Sequence, residues 1–107
     1  MKRKISLALA ILLTAIIVFH AFAQEGNVGD GLAVAQQTCS ICHAIRKAQP
    51  SPNVNAPTFE AIANVRGMTA IALQASLQTP HRSMPNLILS ADERRNVVAY
   101  ILSLKPR

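Results

Sequence analysis

Cys39-Ser40-Ile41-Cys42-His43 holds both cysteines of this chain and one of its three histidines. Two thiols three residues apart, with a histidine directly after the second, make the C-x-x-C-H pattern that attaches a c-type haem. On a helix, residues three and four apart share a face. Cys39 and Cys42 then reach two neighbouring vinyl groups of one porphyrin and form thioethers. His43 points the same way and can bind the iron. Other chemistries fit less well. A redox dithiol belongs beside a strand of a βαβ unit. A structural zinc site wants four ligands, and there is no second cysteine pair. A disulfide at this spacing closes almost no loop.

The elements that must position these groups are helical. Gly26 to Asp30 is a polar lead-in, and Asp30 is the expected N-cap of a helix from Gly31 through Ile41 that carries the first cysteine. Residues 49–57 hold three prolines and two asparagines and are expected to form a loop. Thr58 caps a short helix, Phe59 to Val65, which Gly67 ends. Thr69 caps a third, Ala70 to about Gln78, which Pro80 closes. Residues 80–89 are apolar without a long period and are expected to form a loop lying against something buried. The last helix is the best specified. Ser90 and Glu93 make a capping box, with Asp92 and Glu93 in the first turn. Leu89, Val97, Val98, Ile101, Leu102 and Leu104 repeat at near-helical spacing, and Pro106 stops the run. No segment alternates as a strand does. The expected fold is all-α.

Composition needs one correction before it is used. The chain opens Met1-Lys2-Arg3-Lys4, runs apolar from Ile5 to Phe22 and ends Ala21-Phe22-Ala23. A basic start, an apolar middle and a small-x-small ending describe a secretory leader, expected to be cleaved after Ala23. An uncleaved membrane anchor is the alternative, since the apolar run approaches the ~20 residues of a span. The leader inflates the apolar fraction of 50% and carries three of the eleven Lys and Arg. Residues 24–107 are therefore a single, mildly basic domain, whose charge does not suggest nucleic-acid binding. That domain has no Trp, and its only large aromatics are Phe59 and Tyr100. So small a core is hard to fill from side chains alone. A buried porphyrin would supply the missing bulk.

Taken together, Cys39-Ser40-Ile41-Cys42-His43, Ala56-Pro57, Met84-Pro85 and the terminal Ala99-Tyr100-Ile101 resemble the class I cytochromes c, particularly the small bacterial ones. The resemblance covers nearly all of residues 24–107. It implies three to five short helices wrapped around one covalently attached haem c, with export to the bacterial periplasm, where such haem is attached. It implies two axial iron ligands, His43 and a Met thioether, a pairing that raises the reduction potential. Met84 is the expected ligand, about forty residues after His43 and stiffened by Pro85. His81, on the same loop, is its rival, and Met68 a poorer one. The family orients the ligating imidazole through a loop proline carbonyl, and Pro57 holds that position. Gly31 and Tyr100 match the close crossing of first and last helices. Ala35 stands where larger members often carry an aromatic. Phe59, Ile62, Leu73, Leu77, Leu87 and Ile88 are expected to line the pocket.

An iron with both axial positions filled by protein has no open site for a substrate. The expected function is single-haem electron transfer in the periplasm, not catalysis, either as a free carrier or as the cytochrome subunit of a periplasmic dehydrogenase. The alternative is a haem enzyme or gas-binding sensor with a dissociable sixth ligand. Arg46, Lys47 and Arg82 are expected near the haem edge, where they would steer redox protein partners with acidic docking surfaces. Any membrane contact would come through an uncleaved leader.

Overall fold

The computed structural model describes residue 1 and residues 25–106. The basic–apolar leader and its expected cleavage point lie outside those residues. Asn27, not Asp30, caps the first helix. Its side chain accepts the Asp30 N–H at 3.0 Å, so the helix, α1, spans Val28–Val34 and starts three residues early. Both residue types cap well. Asn27 prevails because a tertiary bond also holds it: its N–H donates to Asn96 Oδ1 at 2.8 Å. Asp30 falls in the first turn instead, where the helix dipole favours a carboxylate.

The helix does not run on regularly into the cysteine motif. Ala35–Cys39 forms a π turn, in which the Ser40 N–H donates to the Ala35 carbonyl five residues back at 2.9 Å. The N–H groups of Cys42 and His43 then both fold onto the Cys39 carbonyl, at 3.1 and 3.0 Å. Regular α-helix therefore stops at Val34, and helical structure of any kind at Cys39 and not at Ile41. A single hydrogen-bonded turn carries the rest of the motif.

Helix α2, Phe59–Ala63, is capped by Thr58, whose hydroxyl accepts the Ala61 N–H at 3.0 Å. It ends two residues before Val65, because Asn64 turns its side-chain amide onto the Glu60 carbonyl at 2.8 Å. Gly67 lies beyond the helix, in a turn where its φ of +77° suits a residue without Cβ. Helix α3, Ala70–Gln78, is capped by Thr69 as expected. Helix α4, Ala91–Ser103, opens with the full reciprocal Ser90–Glu93 capping box. Residues 49–57 and 80–89 contain no helix; an isolated bridge pairs His81 with Met84. The described residues hold no strand beyond that bridge, so the fold is all-α. None of their helices is long and apolar enough to cross a membrane.

The core forms where α1 crosses α4. Gly31 is buried there, and a Cβ on it would overlap the Asn96 carbonyl oxygen and come within 2.8 Å of Tyr100 Cβ. Only glycine lets the two backbones approach this closely. Ala35, at the start of the π turn, has no exposed surface. Phe59 and Tyr100 meet at 6.4 Å between ring centroids in a tilted pair. The Tyr100 hydroxyl donates to the Ile45 carbonyl at 2.7 Å, joining α4 to the segment just after the cysteine motif. Both α2 and α3 pack on α4.

Candidate functional site

Beside this crossing lies an apolar cleft of about 340 Å³. Its wall brings together side chains from distant parts of the chain. Cys39, Cys42 and His43 come from the motif, Pro57 from the loop before α2, and Met84 from the 80–89 loop. Phe59, Ile62, Leu73, Leu77 and Leu87 add apolar surface. Ile88 does not: it is wholly exposed and off this wall. The 80–89 loop turns its neighbour Leu87 inward, and the next residue points the other way. The wall also includes Val97 and Ile101, one helical turn apart on α4, and Met68. The apolar period of α4 signalled that Val97 and Ile101 are inside, but period alone does not separate core from cleft. The Met68 carbonyl accepts a bond from Lys105 Nζ at 2.8 Å, which fixes that turn to the end of α4.

The imidazole of His43 is fixed at one nitrogen. Nδ1 lies 2.6 Å from the Pro57 carbonyl oxygen. A carbonyl only accepts, so Nδ1 carries the proton and donates, leaving Nε2 with its lone pair for a metal. The ring also packs on Phe59 at 5.6 Å between centroids. The carbonyl is held in place by its neighbours. Phe59 N–H donates to the Ala44 carbonyl at 2.9 Å, Ala44 N–H to Ser51 Oγ at 3.0 Å, and Asn53 N–H to the Cys42 carbonyl at 3.1 Å. The segment from Cys42 to Phe59 thus folds back on itself around the histidine.

The cysteines are both free thiols, Cys39 buried and Cys42 half-buried. Burial pushes the Cys39 thiol up to about 11, so it remains protonated at neutral pH. A redox dithiol relies on a lowered thiol pKa and a ready thiolate; the environment of Cys39 works in the opposite direction. Nor does any cluster of three His, Cys, Asp or Glu among the described residues offer a metal site.

On the other wall, Met84 is half-buried in a turn between Pro80 and Pro85. Its N–H donates to the His81 carbonyl at 3.3 Å, and Ser83 within the turn has a left-handed φ of 68°. His81 and Arg82 also reach the cleft. Arg46 and Lys47 are exposed but off its wall, so Arg82 alone of the three expected cations lies on it. Two thiols, an imidazole with a free nitrogen, a thioether and a largely apolar lining are a donor set that fits a covalently held haem.

Comparison with known proteins gives the family. The family model for cytochrome c matches residues 28–105, a span that includes α1 to α4. The chain is 30% identical over 95 residues to cytochrome c-552 of Bradyrhizobium diazoefficiens, a match that takes in 89% of this chain and 91% of that protein. No solved structure matches.

Proposed function

The chain belongs to the cytochrome c family, class I, whose members carry electrons on a covalently bound haem c between redox protein partners, and from that premise we propose that it is a periplasmic single-haem carrier with His43 and Met84 as axial iron ligands. Cys39 and Cys42 hold the porphyrin through thioethers. Pro57 orients the imidazole and raises its basicity through the Nδ1–H bond. Residues 1–23 serve as the export leader, cleaved after Ala23. When bound, the haem supplies a one-electron couple at the iron.

The chain's own residues set the conditions for that couple. The His43 ring cannot rotate without breaking its bond to Pro57, so Nε2 would be presented to a bound haem in one fixed orientation. Met84 supplies a soft donor that favours the reduced state. The apolar lining keeps water from the cleft. Arg82 places a positive charge at its rim and favours partners with acidic surfaces, an attraction that salt weakens. The observation that carries the reading is that the Pro57-held imidazole and Met84 line one apolar cleft with both thiols.

A reduced-minus-oxidised spectrum of the exported protein tests it. The expected result is low-spin haem in both states, a sulfur-to-iron band in the oxidised one, and little carbon monoxide binding at neutral pH. A five-coordinate, high-spin ferrous protein that binds carbon monoxide readily would overturn it and favour a gas sensor or haem enzyme.

A further inference from the structure

The His81–Met84 bridge puts more than one iron-binding side chain on the 80–89 loop. Residues opposed in an antiparallel pair project to the same face, with Cβ atoms ~5 Å apart. Here the opposed residues are an imidazole and a thioether. Both line the cleft, and His81 is otherwise exposed. Nor does the His81 ring have a hydrogen-bond partner among the described residues that would hold it elsewhere. The turn that joins them is flanked by Pro80 and Pro85, which stiffen its ends, and bends through Ser83 in a left-handed conformation. Such a conformation is strained for a non-glycine residue, so the bend between the two side chains is its easiest point to yield.

From this geometry we infer that His81 is a reserve iron ligand, able to take the sixth position when the Met84 thioether leaves it. The exchange involves only the turn from His81 to Met84, which lies outside α3 and α4. It gives the protein a second ligand state, with two imidazoles on the iron and a lower potential than the thioether state. The inference rests on the ligand reading proposed above, and its test separates the two.

The test compares haem-loaded wild type with Met84→Ala, His81→Ala and the double variant, by absorption and electron paramagnetic resonance. Circular dichroism serves as the check on folding. Wild type and H81A should both show the sulfur-to-iron band. M84A should lose that band yet stay low-spin with a bis-imidazole signature and a lowered potential. The double variant should turn high-spin and bind carbon monoxide. A high-spin M84A defeats the reserve role while leaving Met84 as the ligand. A low-spin double variant defeats it too, since some other group then fills the site. If H81A alone turns high-spin, His81 is the resident ligand, and both readings fall.

Discussion

His43 and Met84 line the same cleft from segments held in opposite ways. Around His43, backbone bonds run across the segment from Cys42 to Asn53, from Ala44 to Phe59 and, through Tyr100, from Ile45 to α4. The ring itself is tied to Pro57. The 80–89 loop has far less. Met84 bonds back to His81, and Arg94 Nη1 donates to the Leu89 carbonyl at 3.1 Å. Ile88 stands fully in solvent. One proposed ligand is therefore fixed by the protein alone. The other rides on a segment stiffened mainly by two prolines and by the wall it rests on. A fixed ligand suits a bond that should never break, and a lightly held one suits a bond that sets potential.

The sharpest way to break this comparison is to remove each of the two side chains in turn. His43→Ala should nearly abolish mature protein, read as loss of covalent haem stain in exported fractions. Met84→Ala should keep both the stain and the helical signal. Equal losses from the two would show that the walls are not different in kind. Next in size is Gly31→Val in the frame. The added carbons meet the Asn96 backbone, which cannot move aside cheaply, so the expected loss is about 3 kcal/mol in denaturant unfolding. A change within the ordinary scatter of surface substitutions would mean that the helices can separate freely.

Smaller effects should follow from Tyr100→Phe and Ser90→Ala. The first removes the donor to the Ile45 carbonyl in a buried setting and should cost about 1–2 kcal/mol. The second removes the cap of α4 and should cost about 1 kcal/mol. The same cap has a pH signature. The Ser90 backbone N–H, and then its hydroxyl, hold the Glu93 carboxyl below its ordinary value. A depressed carboxyl contributes stability in full above the unfolded value, about 4.3 for glutamate, and loses it as pH falls through the folded one. Glu93→Gln should therefore flatten that part of the acid limb while wild type keeps its slope. An unchanged slope would place the pH dependence elsewhere.

Much of this architecture was legible in local chemistry. Thr58, Thr69 and the Ser90–Glu93 pair announce three helix starts, because a side-chain oxygen facing free N–H groups acts within four residues. The first start is ambiguous for the same reason. Asn27 and Asp30 both offer that oxygen, and a bond from 69 residues away, at Asn96, decides between them. The π turn had no sequence signal: no residue type in Ala35–Cys39 demands an extra residue per turn. The residues on the cleft wall were largely foreseeable, since C-x-x-C-H and Met-Pro stand out as chemistry. Ile88 falls outside the cleft, contrary to expectation, because adjacent apolar residues in a loop have no period to say which one faces inward.

The π turn has a consequence for how this sequence can change. It is an α-helix that contains one residue beyond what its pitch accommodates, so it sets a phase between two fixed points. Upstream, Gly31 must face Asn96; downstream, Cys39 must face the cleft. Deleting a single residue such as Gln36 would restore regular winding and rotate one end against the other by about 100°. Either the crossing or the thiol would then miss its mark. At this stretch the number of residues constrains the molecule more tightly than their identity. Exposed Gln36 and Gln37 should accept many substitutions but no loss.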